Sequence, residues 1–125
     1  MQLQKIYEEV ERNTTPKLSL VIMCYEKIIE LLDKAAECMQ KKEYDKKSEA
    51  LSRAIDIITE LMGALDFKRG KQIAYGLNSI YLYSLNSIME ADSDNRADLL
   101  EHVKKLFGEI KEAWVQISKK GVKSV

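Results

Sequence analysis

"LSLVIMCYEKIIELLDKAAECM", residues Leu18 to Met39, repeats its apolar side chains every three or four positions. The repeat comprises Leu18, Val21, Tyr25, Ile28, Leu32, Ala35 and Met39. Such spacing brings these side chains to one face of a helix, and Thr15 followed by Pro16 provides a capping oxygen and a favourable first turn. The stretch therefore predicts an amphipathic helix of about 23 residues that buries one face.

Three more segments follow with the same helical spacing. The second helix is expected after the polar break Gln40–Glu43 and is predicted to end near Phe67–Gly70, where the glycine can terminate it. The third is predicted to stop by Ala91–Asn95, and the fourth is expected to bury Trp114. Long helices with short connections favour antiparallel neighbours, so the sequence predicts an all-α fold, an antiparallel up-down four-helix bundle.

The chain has the length and composition of one helical domain. Its 125 residues include five Gly and one Pro, and 46% are apolar, which indicates few turns and long regular elements. We expect a single domain over residues 1–125, with the bundle at 15–119. Residues 1–14 form a short N-terminal segment with helical apolar spacing, which is too short to be a stable helix unless it docks.

Charge and cysteine content narrow the class of protein. The formal net charge is zero and the charges are evenly spread, so there is no electrostatic footprint for nucleic acid or anionic lipid. The first residues lack the apolar core of a secretory signal, which predicts a cytoplasmic protein. Cys24 and Cys38 would lie about 21 Å apart along one helix, too far to bridge, and are expected to be free core residues.

Residues 72–89, QIAYGLNSIYLYSLNSIM, contain no charged side chain, although 32% of the whole chain is Asp, Glu, Lys or Arg. Asn78, Ser79, Asn86 and Ser87 make this run too polar for a membrane span. Two interpretations remain. The run is either a helix packed between two neighbours or part of a groove that receives another apolar segment, because neutral side chains lower the desolvation cost of binding.

Catalytic and metal motifs are sparse. One His and two distant Cys cannot build a zinc site, and the Glu-x-x-His pairs of a di-iron bundle are absent, so no metal or cofactor is predicted. Arg96 and His102 do match the R-x5-H spacing of HEPN-type ribonucleases, in which the basic pair handles phosphate and the His moves protons. The alternative is that Arg96 and His102 are solvated side chains on a helix, without a catalytic role. We predict that the protein is not an enzyme.

The order of motifs resembles that of the flagellar secretion chaperone FliS family. The strongest likeness is AIDIITELMGALDFKRGKQIAYGLNSIYLY, Ala54 to Tyr83, and it is supported by Thr14–Ile29 and by EIKEAW at Glu109–Trp114. The chain departs from the family pattern where Asp is common inside Tyr-x-Tyr and a pair of Arg follows. Those positions are Leu82, Asn86 and Ser87 here.

The resemblance implies a cytoplasmic export chaperone that needs no cofactor. Such a protein binds the disordered C-terminal region of flagellin, prevents premature polymerisation and assists delivery to the flagellar type III export gate. It also implies that the N-terminal segment can lie over the client groove. The predicted partner-binding residues are Tyr25, Leu77, Tyr81, Leu82, Tyr83 and Leu85, with Ile6, Tyr7 and Val10 in the docking segment.

A different class of function could use the same surface. A helical oligomerisation or adaptor module is the main alternative, and the HEPN-like nuclease ranks behind it. The sequence leaves open whether the free protein forms a homodimer through this surface.

Overall fold

The computed structural model describes residues 16–119, which form four α-helices and no strand. These are α1 (Pro16–Gln40), α2 (Tyr44–Gly63), α3 (Phe67–Asp94) and α4 (Ala97–Lys119). Each helix packs against two others: α1 and α3 both lie between α2 and α4. The predicted four-helix bundle is confirmed. Residues 1–15, which include Ile6, Tyr7, Val10 and the predicted cap Thr15, lie outside the described part of the chain.

Helix α1 forms much of the core because it is covered on two sides. Ile22 and Leu31 fall outside its main apolar stripe, yet both are buried. The stripe itself is buried at Leu18, Tyr25, Ile28, Leu32, Ala35 and Met39, whereas Val21 is half-buried. Most of the wide apolar surface of α1 is therefore used inside the bundle. Leu20 is the exception, with 57% of its surface exposed.

The short α1–α2 connection closes with a Schellman motif. The Glu43 N–H donates to the Cys38 carbonyl at 2.8 Å, and the Lys42 N–H donates to the Met39 carbonyl at 3.1 Å. Lys42 has a φ of 58°, in the left-handed region that this motif requires. These bonds satisfy carbonyls at the end of α1 and confirm the predicted break at Gln40–Glu43.

The predicted end of the second helix near Phe67–Gly70 is wrong. Helix α2 ends at Gly63, and residues 67–70 form the first turn of α3. The reason is Asp66, whose carboxylate accepts hydrogen bonds from the backbone N–H groups of Lys68 and Arg69 at 3.1 and 3.0 Å. An aspartate cap of this kind satisfies N–H groups that a new helix leaves open, so it outweighs the stop signal of the glycine.

Helix α3 has a local break just after this first turn. Lys71 has φ 48° and ψ −123°, which is not a helical conformation. The turn at residues 67–70 is thereby set apart from the main body of α3. At its other end α3 stops at Asp94, and Asn95 takes the left-handed cap position, as the predicted stop by Ala91–Asn95 requires.

A buried lysine joins the start of α2 to the end of α3. Lys47 is only 4% exposed, and its Nζ donates to the Asp92 carbonyl and to the Asn95 Oδ1, both at 2.7 Å. The same Nζ lies 2.9 Å from the Asp92 Oδ1, which also accepts from the Ser48 hydroxyl. A cation at a helix C-terminus is favourable because the last carbonyls are partly negative. We call the contacts of Lys47 and Ser48 with Asp92 and Asn95 the clasp. The clasp holds α2 and α3 together at one end of the bundle.

Candidate partner-binding site

An aromatic cluster occupies the centre of the bundle beneath the candidate site. Tyr25 of α1 and Tyr81 of α3 share a hydrogen bond between their hydroxyls at 2.5 Å, and the Trp114 Nε1 donates to the Tyr25 oxygen at 3.5 Å. The Phe107 ring lies edge-on to Tyr25 at 5.1 Å and stacks parallel to Tyr81 at 6.0 Å. Edge-on and offset ring pairs are favourable geometries, so the cluster ties α1, α3 and α4 together.

Burial governs the ionisation of these tyrosines. Loss of solvent raises the pKa of Tyr25, although its hydrogen bonds with Tyr81 and Trp114 oppose the change. Burial also raises the pKa of Tyr81, and the neighbouring Tyr25 adds to the effect. Both hydroxyls therefore stay protonated at neutral pH, where they can act as donor and acceptor to one another.

An apolar pocket opens at the end of the bundle where α1 begins and α4 ends. It is a partly open depression, and its space together with the adjoining solvent amounts to about 490 Å³. All four helices contribute to it, through Val21, Leu61, Leu77, Tyr81 and Trp114 among others. Asp66 is the one charged residue among the described residues that line it, and that carboxylate is engaged in capping α3. The pocket is thus suited to an apolar segment rather than to a charged ligand.

The α2–α3 corner shapes one wall of this pocket. Gly70 lines it, and a Cβ added to Gly70 would lie 2.9 Å from the Cβ of Ala74. Ala74 is buried, so there is little room for it to move. The glycine at this position therefore permits the first turn of α3 to approach the helix that follows it.

The outer face of α3 extends from the pocket along the bundle. Ile73 lines the pocket and is 63% exposed, so it belongs to both surfaces. Beyond it the outer face exposes Tyr75, Leu82, Tyr83 and Met89, and Phe67 packs against Tyr75 with ring centres 4.7 Å apart. No charged side chain interrupts residues 72–89. The pocket and this face together form a continuous apolar and neutral surface, which we call the α3 surface.

The predicted partner-binding residues divide into three locations. Tyr25 is fully buried in the aromatic cluster, and Leu85 is half-buried against the core. Leu77 and Tyr81 line the pocket, although Tyr81 is only 1% exposed. Leu82 and Tyr83 lie on the outer face, each about half exposed. The structure therefore brings Leu77 and Tyr81 together in the pocket but directs Leu82 and Tyr83 outward.

Several pocket residues were absent from the predicted set. They are Val21, Leu61, Leu65, Ile73 and Trp114. Ile73 lies in the uncharged run, four residues before Leu77 and therefore on the same face of the helix, so this residue could have been found from the sequence. Leu61 and Leu65 could not, because the apolar spacing of α2 continues through the corner that forms the pocket wall.

The residues of the nuclease hypothesis make other contacts. The Arg96 guanidinium pairs with the Asp98 carboxylate, with its Nη2 2.7 Å from Oδ2, and this bond raises the pKa of Arg96 and lowers that of Asp98. The His102 ring lies edge-on to Tyr83, 5.7 Å between centres. Within residues 16–119, no three His, Cys, Asp or Glu side chains gather as a metal site would require. Across the same residues, no helix is long and apolar enough to cross a membrane.

Fold and site define the class of the protein as an antiparallel four-helix bundle with an apolar pocket at one end and a neutral outer helix face. The family model described as "Flagellar protein FliS" matches residues 1–121. The chain therefore belongs to the FliS family, whose named members are flagellar secretion chaperones, and the predicted resemblance is confirmed.

Three relatives illustrate how much of the chain the likeness covers. Flagellar secretion chaperone FliSB of Pseudomonas aeruginosa is 30% identical over 117 residues, which is 94% of this chain and 93% of that protein. FliS of Salmonella typhimurium is 35% identical over 102 residues, 81% of this chain and 76% of that protein. FliS of Vibrio cholerae is 31% identical over 114 residues, which is 91% of this chain and 84% of that protein.

Proposed function

We propose that this protein is a cytoplasmic export chaperone that binds the disordered C-terminal region of flagellin. In this role it keeps flagellin from polymerising early and assists its delivery to the flagellar type III export gate. The observation that carries the proposal is the α3 surface, an apolar pocket continuous with a neutral helix face, in a member of a family of flagellar chaperones.

The proposed mode of recognition is a helix laid in a groove. A disordered client that folds on binding loses about 2–5 kcal/mol in ordering, so it needs an extensive apolar contact to bind usefully. The pocket offers apolar side chains from all four helices, and the outer face adds Ile73 and Tyr75 beside it. Neutral residues along α3 keep the desolvation cost of this contact small.

The proposed activity is binding without chemistry. A chaperone of this type needs no cofactor, metal or nucleotide, and its client is released by transfer to the export machinery. The pairing of Arg96 with Asp98 and of His102 with Tyr83 gives no support to the nuclease alternative. We therefore propose that the protein is not an enzyme.

We also propose that the N-terminal segment is a weak internal competitor of the client. Its apolar residues Ile6, Tyr7 and Val10 have helical spacing, and the pocket is lined by Val21, a short distance further along the chain. Deleting residues 1–12 should raise client affinity and leave the bundle nearly as stable. A truncated protein that unfolds would instead assign the segment to the core.

Co-purification with a peptide from the flagellin C-terminus tests the main proposal. Ile73→Asp introduces a charge at the rim of the pocket, on a side chain exposed enough to tolerate it, and should weaken peptide binding at least tenfold. The matched control is Tyr44→Asp, which adds the same charge on a half-exposed side chain at the opposite end of α2. Equal binding by both variants would remove the pocket from the proposed site.

A second pair of changes tests the outer face. Leu82→Asp combined with Asn86→Arg introduces charges into the run of residues 72–89. If the client extends along this face, the double variant should bind the peptide more weakly than the wild type. Unchanged binding would restrict the client to the pocket.

A further inference from the structure

Two lysines among residues 16–119 have a positive φ. Lys42, in the α1–α2 connection, has φ 58°, and Lys71, near the start of α3, has φ 48°. Side chains are strained in this region, whereas glycine adopts it freely. The ψ of Lys71 is −123°, a combination that glycine dominates in tight turns. A strained residue other than glycine, placed beside a pocket, points to a role for its side chain.

Lys71 is one of three cations grouped at the mouth of the pocket. Lys68, Arg69 and Lys71 are all exposed, and Gly70, which lies among them, lines the pocket. We call these three cations the basic corner. From residue 61 to residue 89 the chain contains a single acid, Asp66, besides them. The basic corner is therefore a local excess of positive charge in a chain whose net charge is zero.

The one nearby acid neutralises little of this charge. The Asp66 Oδ1 accepts from the backbone N–H groups of Lys68 and Arg69, and its Oδ2 lies 3.8 Å from the Arg69 Nε, a long ion pair. The ammonium groups of Lys68 and Lys71 make no ion pair with any residue in the range 16–119. Both are available to the acid of a partner.

We propose that the basic corner selects clients that carry Asp or Glu next to the apolar side chains that enter the pocket. The apolar side chains fill the pocket, and the acidic ones pair with the cations at its mouth. The α3 N-terminus lies at the same place, where the helix dipole also favours a negative group. This inference rests on the proposed function, and it adds a charge preference to a surface that is otherwise neutral.

The proposed role explains why lysine occupies a backbone position that suits glycine. Strain at Lys71 lowers the stability of the free protein, and its ammonium group strengthens the complex. A change to glycine should therefore raise stability and weaken client binding. A purely structural role for Lys71 predicts no such opposition between the two measurements.

Calorimetric titration of the full chain with a peptide from the flagellin C-terminus, together with thermal unfolding, tests this inference. Lys71→Gly should raise the melting temperature by about 3 °C and weaken peptide binding by about threefold at low salt. Lys71→Arg keeps the charge and should bind as the wild type does. Lys68→Gln combined with Arg69→Gln and Lys71→Gly should weaken binding by about tenfold and leave an affinity that hardly changes with salt.

Lys42→Gly provides the matched control, because it relieves a positive φ at the opposite end of the bundle. It should raise the melting temperature by a similar amount and leave the peptide affinity unchanged. A peptide whose Asp and Glu are replaced by Asn and Gln should bind the wild type and Lys71→Gly equally. Amidation of the peptide C-terminus should leave the difference between these two proteins in place, since the side-chain carboxylates remain.

Equal affinities of the wild type and Lys71→Gly for the unmodified peptide would overturn the charge preference and leave the proposed function intact. A difference that persists with the Asn and Gln peptide, or that amidation removes, would also overturn it. So would a lower melting temperature for Lys71→Gly, because the backbone would then be unstrained. Failure of the wild type to bind the unmodified peptide would contradict the proposed function and overturn the charge preference with it.

Discussion

Lys47 is buried, an unusual location for lysine, and its ammonium group contacts three oxygens at the C-terminal end of α3. It reaches the Asp92 carbonyl, the Asp92 carboxylate and the Asn95 side chain. The cation also lies 5.5 Å from the centre of the Tyr44 ring. The spacing of apolar residues assigns Lys47 no role, since its function depends on the helix that packs against α2.

Lys47→Met should destabilise the bundle by about 2 kcal/mol, because it leaves the Asp92 and Asn95 oxygens without their charged donor. The matched control is Lys46→Met, which removes only an exposed ion pair with Glu43 and should leave the free energy of unfolding nearly unchanged. Urea unfolding of the two variants measures the difference. Equal losses would mean that the clasp contributes no more than a surface pair.

The Tyr25–Tyr81 hydrogen bond offers a second test at the level of single residues. Tyr25→Phe leaves the Tyr81 hydroxyl and the Trp114 Nε1 without their partner, and Tyr81→Phe removes the partner of Tyr25. Each change should cost about 1–3 kcal/mol in the free energy of unfolding, because it strands a buried polar group. The double variant should lose less than the sum of the two. Strict additivity would show that the hydroxyls are not coupled.

At the scale of elements, the sequence located all four helices but misjudged one corner. The apolar spacing of α2 continues through Leu65, and Gly70 is a plausible stop. The Asp66 cap starts a new helix before Gly70 is reached. Predicting this boundary requires weighing an aspartate cap against a glycine stop. The pocket wall depends on this corner, so the error in the helix boundary also removed Leu61 and Leu65 from the predicted site.

Gly70→Ala tests the packing of this corner. The added methyl group meets the buried Ala74 at 2.9 Å, so the variant should lose about 1–2 kcal/mol through overpacking. Gly76→Ala is the matched control in the same helix, because no atom lies within 4 Å of the added Cβ, and it should gain about 0.5–1 kcal/mol. Thermal unfolding should therefore move in opposite directions for the two variants. A stable Gly70→Ala protein would mean that the corner relaxes without cost.

At the scale of the whole molecule, the periodicity of apolar residues was sufficient to predict the fold. It was not sufficient to predict which helix faces remain exposed. The apolar side chains of α1 extend beyond its main stripe, but two flanking helices bury most of them, including Ile22 and Leu31. The neutral run in α3 is different: one side carries buried Tyr81 and Ile88, while the other exposes Tyr75 and Leu82. The interpretation of this run as a packed helix therefore holds for one side, and its interpretation as part of a groove stays a prediction. The inner side of the run packs in the bundle, and its outer side remains uncovered among the described helices.

Calorimetric titration of the full chain with a peptide from the flagellin C-terminus tests the central proposal most directly. We expect one peptide to bind each chain, with a negative heat-capacity change from apolar burial and a gain of helix by circular dichroism as the client folds. Absence of binding at peptide concentrations of about 100 μM, well above the dissociation constant of a useful chaperone complex, would contradict the proposed function.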